Sequence, residues 1–258
     1  MALNYYKNEL KENAQLLASK GKGILAVDES TKTVGKRLAG IGVENTEENR
    51  KAYRGMLFTT EGLGKYISGA ILFEETLFQD HQDGEPMVKK LNDLGIIPGI
   101  KVDKGLNPLP GGGDVETFCS GLDGLVGRAA KYYEQGARFA KWRAVLQITN
   151  DGCPSKLSIQ ENAWGLARYA RSVQESGLVP IIEPEILMDG NHTIEKTAQV
   201  QEEVIKQVYI ACQANGVFLE GTLLKPSMTV NGAECATKAD PMKVAEMTIR
   251  TMERCVPA

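Results

Sequence analysis

The stretch FAKWRAV, residues 139–145, decides the fold class that the sequence predicts. It has the length and apolar character of a buried β-strand, but two cations, Lys141 and Arg143, lie inside it. Because successive side chains of a strand point to opposite faces, both cations share one face and Trp142 lies on the other. Strands of a parallel sheet are covered on both faces and are normally apolar. The stretch therefore predicts a buried strand with one face in a charged interior.

Five similar apolar runs lie on either side of this stretch, and segments of helical period separate them. The six predicted strands cover residues 23–29, 69–75, 97–103, 139–145, 179–185 and 217–225. This alternation is typical of a parallel sheet covered by helices, either an open doubly wound sheet or part of an eight-stranded barrel. The sequence shows no linker or repeat and only one loop rich in glycine, at 108–114, so we expect a single domain over residues 1–258.

Two of the predicted helices have chemical signals at their ends. Ser158 and Glu161 predict a capping box ahead of a helix that ends before Gly177, a residue that can adopt the left-handed C-cap conformation. Asp240 followed by Pro241 predicts the start of a last helix, which runs to about residue 255.

Charged residues recur towards the carboxyl ends of the predicted strands. They are Asp28, Lys101, Asp103, Lys141, Arg143, Glu183, Glu185 and Lys225. Each one alone fits a bland interpretation, such as a solvated turn, a structural ion pair or a surface lysine before a loop. Together they lie where parallel α/β folds have their active sites, and their opposite signs can compensate one another in a shared interior. We therefore expect a catalytic mouth to which several strands contribute.

The composition excludes several classes of protein. The 258 residues have a formal net charge of −3 with basic and acidic residues interspersed, which predicts neither a nucleic-acid partner nor binding to an anionic membrane. No apolar stretch approaches the roughly 20 residues of a membrane span. The five cysteines lack CxxC spacing, which fits reduced thiols in a cytosol-like compartment. Residues 1–20 lack the features of a transit peptide, so the sequence as written predicts a cytoplasmic protein.

The types of residue in the chain limit the reactions that such a site could catalyse. With two histidines, His81 and His192, the chain cannot form a three-histidine zinc site, and a histidine-based triad is disfavoured. A lysine amine is a nucleophile only when it is neutral, and a neighbouring cation favours that form; Lys141 would be this cation for Lys225. Glu183 would move the protons that carbinolamine formation and dehydration require. The pattern predicts imine catalysis on a carbonyl substrate, and the additional basic residues suggest that the substrate carries phosphate.

Six longer motifs run through the chain: ILAVDES, GAILFEETL, PGIKVDKG, GARFAKWRAV, VPIIEPEIL and FLEGTLLKPSM. With these motifs the sequence resembles class I fructose-1,6-bisphosphate aldolase of the eukaryotic and plastid type. The resemblance implies a closed (β/α)8 TIM barrel and a homotetramer. It also implies reversible, metal-independent cleavage of fructose 1,6-bisphosphate into dihydroxyacetone phosphate and glyceraldehyde 3-phosphate, in glycolysis and gluconeogenesis or in the Calvin cycle, without a cofactor.

The resemblance also implies a role for each matching residue. Lys225 would form the Schiff base, Glu183 would be the general acid and base, and Asp28 would take part in proton transfer at the bond that breaks. Lys141 would hold the substrate and keep Lys225 nucleophilic. The residues expected to face the sugar phosphate or to orient its neighbours are Arg143, Lys101, Ser30, Thr33, Lys36, Arg50 and Glu185.

The sequence departs from the family at its carboxyl end. The family continues through a seventh and an eighth strand, so we expect that only the first six β/α units are present and that the chain is a fragment or an incomplete gene model. A missing transit peptide would place the protein in the plastid stroma. Two alternatives stay open: another imine-forming barrel lyase, which activity on fructose 1-phosphate would distinguish, and a non-catalytic binding or scaffold protein that retains the fold.

Overall fold

The structure, a computed structural model, describes residues 2–257. The strands are β1 (Gly23–Val27), β2 (Ile67–Leu72), β3 (Ile97–Lys101), β4 (Leu106–Pro108), β5 (Thr117–Cys119), β6 (Phe139–Leu146), β7 (Val179–Ile186) and β8 (Leu223–Leu224). The helices are α1 (Ala2–Leu17), α2 (Thr31–Ala39), α3 (Glu47–Phe58), α4 (Glu74–Leu77), α5 (Met87–Asp93), α6 (Leu125–Glu134), α7 (Lys156–Gln174), α8 (Ile194–Ala214) and α9 (Pro241–Cys255).

Six of these strands form one parallel sheet in the order β1, β2, β3, β6, β7, β8. The strands follow one another in chain order, whereas a doubly wound sheet reverses its order at a switch point. The doubly wound alternative is therefore excluded. β4 and β5 form a separate antiparallel pair, which the sequence predicted only as a glycine-rich loop.

The sheet curls into a half-barrel. In the sheet, β2 and β3 lie between β1 and β6. If the sheet were flat, β1 and β6 would be about 14 Å apart, beyond the combined reach of their side chains. Yet Asp28, the residue after β1, accepts a hydrogen bond of 3.0 Å from the Nζ of Lys141 in β6. The side chains at the carboxyl ends of the strands therefore converge on the concave face.

The two faces of the sheet bury different side chains. On the convex face, the side chains of Trp142 and Tyr169 stack beneath α7, and the Tyr169 hydroxyl donates to the carbonyl of Ala140. On the concave face, Phe139 packs with α1 at the amino ends of the strands. A Cβ at Gly99 would lie 2.3 Å from the Phe139 ring, so the ring requires a glycine in β3.

The predicted strand over 217–225 is wrong for most of its length. Residues Leu219–Gly221 form a 3-10 turn, and the strand β8 is restricted to Leu223–Leu224. The buried side chain of Gln174 in α7 explains the turn, because it bonds the backbone N–H and C=O of Phe218 and the C=O of Gly221. A side chain thus replaces the strand hydrogen bonds that the sequence predicted here.

The predicted capping box is also wrong, whereas the start of the last helix is confirmed. Ser155 is the N-cap of α7, with its Oγ accepting a 3.1 Å bond from the N–H of Ser158, which lies buried in the first turn. Ser155 is held there because its hydroxyl also donates to Glu116, far away in the sequence. Asp240 caps α9 as predicted, and Gly177 has a φ of 79° as a left-handed residue requires.

Within residues 2–257, no helix has the length and apolar character that crossing a membrane requires.

Candidate active site

Four charged side chains meet on the concave face near the carboxyl ends of the strands. Glu183 in β7 lies at their centre: one carboxylate oxygen contacts the Nζ of Lys225, and the other lies 3.4 Å from the Nζ of Lys141. Lys141 in turn donates to Asp28 at 3.0 Å. We call these four residues, Asp28, Lys141, Glu183 and Lys225, the concave cluster.

The alternation of side chains explains which residues reach this cluster. In β6 the concave side carries Phe139, Lys141 and Arg143, so an apolar residue at the amino end is followed by cations. Parallel pairing sets Arg143 of β6 opposite Glu183 of β7. The backbone N–H of Lys225 bonds the carbonyl of Ile182 at 2.9 Å, which extends the pairing one residue beyond β8.

Burial differs strongly within the concave cluster. Glu183 is 3% exposed and Lys141 and Asp28 are buried, whereas the Lys225 side chain is 51% exposed. The buried members are shielded from water, so their charges interact strongly with one another. Lys225, the predicted nucleophile, is therefore the member of the cluster that a ligand can reach from solvent.

The charge of Lys141 is stabilised by its two carboxylate partners. Burial lowers the pKa of Lys141, but the attraction of Asp28 and Glu183 outweighs burial, and the pKa lies above its ordinary value. Lys141 is therefore a permanent cation at neutral pH. The sequence predicted this cation beside Lys225, whereas in the structure the Glu183 carboxylate lies between the two lysines.

A cavity of about 240 Å³ opens beside Lys225. Its lining includes Glu183, Glu185, Asp189 and Ser227. A larger hollow of about 600 Å³ lies between the start of α8 and the segment before α9, and none of the predicted site residues lines it. Of these two cavities, only the smaller one is lined by members of the concave cluster, Glu183 and Lys225.

Three of the other predicted residues lie near the cluster, Arg143 on β6, Glu185 on β7 and Lys101 at the end of β3. Arg143 forms an ion pair with Glu185, and Lys101 donates to Asp103 at 2.6 Å. Both pairs bring a cation and a carboxylate to the carboxyl ends of the strands. They can hold an anionic group of a ligand once the cation leaves its carboxylate.

The predicted residues after β1 form a separate group. Ser30 is the N-cap of α2 and accepts a 3.3 Å bond from the N–H of Thr33, and the two hydroxyl oxygens lie 3.1 Å apart. Lys36 is exposed on α2. Arg50 is not brought to the cluster: its guanidinium bonds both carboxylate oxygens of Glu75, at 2.9 and 2.6 Å, together with Asn45.

The sequence predicted no individual catalytic or binding role for three residues near the cluster. Asp103 follows β3, is buried and accepts a hydrogen bond from Lys101, and the sequence had indicated it only as one of the charges at the strand ends. Ser227 bonds the backbone N–H of Ile186 through its hydroxyl at 3.0 Å. Arg54 in α3 donates to the carbonyl of Glu29. The last two contacts join residues far apart in the sequence, so no local pattern indicates them.

Within residues 2–257, no group of three or more His, Cys, Asp or Glu side chains is arranged to hold a metal ion. A lysine in contact with a carboxylate can attack a carbonyl carbon, with the carboxylate moving the protons.

Known proteins match this chain over almost its whole length. The family model of class I fructose-bisphosphate aldolase, named Glycolytic, matches residues 9–258. The chloroplastic fructose-bisphosphate aldolase 3 of Arabidopsis thaliana is 56% identical over 252 residues, which are 98% of this chain and 64% of that protein. The chloroplastic aldolase 1 of Pisum sativum is 57% identical over 98% of this chain and 70% of its own length.

A solved structure of the same family is similar to this chain along nearly its whole length. Fructose-bisphosphate aldolase from Plasmodium falciparum, crystallised in complex with TRAP and a small-molecule inhibitor, superposes with a TM-score of 0.96 at 56% identity, over 98% of this chain and 73% of that one. The chain spans about 64% of the length of the Arabidopsis relative. From the family model and these identities, the chain belongs to the class I fructose-bisphosphate aldolase family.

Proposed function

We propose that the protein is a class I fructose-bisphosphate aldolase, which cleaves fructose 1,6-bisphosphate reversibly into dihydroxyacetone phosphate and glyceraldehyde 3-phosphate through a Schiff base. The observation that carries the proposal is the contact of the half-exposed Lys225 with the buried Glu183, beside a cavity. Family membership supplies the substrate class.

In this proposal the members of the concave cluster have different tasks. The Lys225 amine attacks the ketone carbon, and Glu183 transfers the protons that turn the carbinolamine into an imine. Lys141 holds the substrate as a permanent cation. Asp28, on the far side of Lys141, takes part in proton transfer at the carbon–carbon bond that breaks. Imine formation and bond cleavage thus rely on opposite sides of the cluster.

The remaining predicted residues are proposed to bind the sugar phosphate. Arg143 and Lys101 would exchange their carboxylate partners for phosphate oxygens, and Glu185 would orient Arg143. Ser30 and Thr33 at the amino end of α2 would donate to a phosphate, with Lys36 adding charge. Arg50 would need to leave Glu75 before it could join them.

We further propose that the whole protein is a single-domain (β/α)8 barrel of which this chain carries the first six units, and that it assembles as a homotetramer. β1 and β8 each have one neighbour in the sheet of the described residues, and the relatives named above are longer than this chain. The plastid is the proposed location, since both of these relatives are named chloroplastic.

A steady-state cleavage assay tests the proposed activity. We expect fructose 1,6-bisphosphate cleavage that Lys225→Arg abolishes, because arginine keeps the charge but cannot form an imine. Lys206→Arg, which changes a surface lysine of α8, is the matched control and should keep the activity. Cleavage that survives in Lys225→Arg would refute the assignment, and a preference for fructose 1-phosphate would favour a single-phosphate aldolase.

A further inference from the structure

Arg54 in α3 is fully buried, with an exposure of 0%, and none of the roles above uses it. Its Nη2 donates to the carbonyl oxygen of Glu29 at 2.6 Å, and its Nη1 lies 3.5 Å from a carboxylate oxygen of Glu75. The guanidinium carbon lies 5.6 Å from the centre of the Phe73 ring. A buried ion pair is weak evidence for stability, because well-packed apolar side chains often stabilise a fold equally. The position of Arg54 therefore calls for another explanation.

The shortest contact of Arg54 fixes the backbone beside the concave cluster. Glu29 lies between Asp28, whose carboxylate contacts Lys141, and Ser30, the N-cap of α2. The Glu29 side chain is also held, through an ion pair with Arg37. A displacement of the Glu29 peptide would therefore move Asp28, the adjacent residue.

The geometry requires arginine rather than lysine. A guanidinium presents terminal nitrogens in a rigid plane, so that it can donate to the Glu29 carbonyl and the Glu75 carboxylate together. An ammonium is a compact point charge on a flexible stem and lacks this fork. Glu75 is itself anchored by two hydrogen bonds from Arg50, one turn earlier in α3. Arg54 thus ties the 28–30 link to both α3 and the first turn of α4.

We propose that Arg54 is a positioning residue, which holds the Glu29 peptide and thereby keeps the Asp28 carboxylate against Lys141. The inference rests on the proposed function, in which Asp28 serves carbon–carbon bond cleavage. Glu183 lies on β7 and Lys225 directly follows β8, on the other side of Lys141. Loss of Arg54 therefore impairs cleavage while imine formation continues.

Hydrogen exchange followed by mass spectrometry tests the positioning directly and needs no activity. In Arg54→Ala and Arg54→Lys we expect faster exchange in peptides that cover residues 28–34, and unchanged exchange in β7. The matched control is Arg138→Ala, because Arg138 also donates to backbone carbonyls, those of Tyr133 and Ala137, at the opposite end of the sheet. This variant should leave the exchange of residues 28–34 unchanged.

Kinetics of the same variants give the second readout. A catalytic group that is misplaced by about 1 Å can lower the rate about 100-fold, so kcat for cleavage should fall by about that factor in Arg54→Ala. Borohydride trapping of dihydroxyacetone phosphate in the same variant should stay within about twofold of the unmodified protein. Millimolar guanidinium chloride should restore part of the lost rate in Arg54→Ala, since the small cation can occupy the vacated site. It should not accelerate the unmodified protein.

Three results would overturn the proposal. The first is unchanged hydrogen exchange at residues 28–34 in folded Arg54 variants, and the second is unchanged cleavage by Arg54→Ala. The third is an equal loss of trapping and cleavage that guanidinium does not rescue. This third result would indicate that Arg54 has only a general structural role. If Arg54→Ala does not fold, Arg54→Lys carries the same comparison. If the unmodified protein neither traps nor cleaves, the proposed function fails, and the exchange measurement still decides whether Arg54 holds the link.

Discussion

Glu183 is a buried carboxylate that contacts two lysines at once. It is 3% exposed, and its two oxygens face Lys141 and Lys225 separately. Removing one partner of a buried ion pair leaves the other charge uncompensated. Glu183 therefore serves the stability of the concave cluster as well as its proposed chemistry.

We expect Glu183→Gln to destabilise the protein by about 3 kcal/mol, because Lys141 keeps Asp28 but loses its second anion. The free energy of unfolding from urea titrations measures this loss. Glu220→Gln, which changes a carboxylate of the 3-10 turn before β8, is the control. A stable Glu183→Gln protein with unchanged unfolding would show that Lys141 does not depend on Glu183.

At the residue scale, alternation identified the side chains of the cluster but not their partners. Lys141 with Arg143, and Glu183 with Glu185, were assigned to shared faces from the period of a strand alone. The contact of Asp28 with Lys141 spans 113 positions in the chain. It exists because the sheet curls, and no local pattern contains that curvature. For Arg50 the sequence predicted a binding role but not its partner, because the pairing with Glu75 depends on how α3 packs on α4.

The helix α3 is joined to α4, which follows β2, through the ion pair of Arg50 with Glu75. The hydrogen bond from Arg50 lowers the pKa of Glu75 below its ordinary value of 4.5, and the charge of Arg50 adds to this effect against burial. Because folding favours the ionised carboxylate, its contribution to stability is complete above pH 4.5 and is lost as the pH falls through the lower pKa of the folded state.

The difference in unfolding free energy between the unmodified protein and Glu75→Gln should therefore be about 1 to 3 kcal/mol at neutral pH and should shrink below the ordinary pKa. Urea titrations from neutral pH down to the limit of reversible unfolding measure this difference. A difference that grows as the pH falls would contradict the pairing of Glu75 with Arg50.

The segment that leads to Lys225 depends on a side chain of α7. Gln174 makes hydrogen bonds of 2.8 and 3.0 Å to the backbone of Phe218 and of 3.1 Å to Gly221. Gln174→Leu leaves these buried groups without partners, so we expect a loss of about 2 to 3 kcal/mol and faster hydrogen exchange at residues 217–225. Gln160→Leu, at an exposed position of the same helix, should change neither. Unaltered exchange in Gln174→Leu would show that the turn holds without the glutamine.

Element boundaries were the part of the fold that the sequence predicted least well. Ser158 and Glu161 have the spacing of a capping box, but Ser155 caps α7 because Glu116 binds it. The strand before Lys225 is shorter than its apolar run because Gln174 binds the backbone there. In both places a contact from a distant element overrides a correct local propensity. At Asp240 the local signal decides the helix start, and its predicted cap is confirmed.

For the whole molecule, the concave face is shaped by glycines that admit Phe139. A Cβ on Gly99 would lie 2.3 Å from the ring, and one on Gly69 would lie 3.0 Å from it. Gly99→Ala should therefore cost about 1 to 3 kcal/mol through overpacking. In a double-mutant cycle with Phe139→Leu, most of this cost should disappear, since the smaller side chain makes room. Additive costs would contradict direct packing of the ring on Gly99.

The parallel α/β class followed from the alternation of apolar runs and helical segments, which is a property of the whole chain. The same alternation fitted both a doubly wound sheet and a barrel, because it carries no information on strand order. The order of the six strands excludes the first. The position of α1 against Phe139 could not be predicted either, since the period of α1 indicates an apolar face but not which surface covers it.

Borohydride reduction in the presence of dihydroxyacetone phosphate would show which lysine forms the proposed Schiff base. We expect peptide mass spectrometry to find the reduced ketose on Lys225 and on no other lysine, because Lys225 alone in the concave cluster combines exposure to a ligand with contact to Glu183. Lys206→Arg should retain the adduct and Lys225→Arg should lose it. A folded protein without an adduct, or with the adduct on Lys141, would contradict the account.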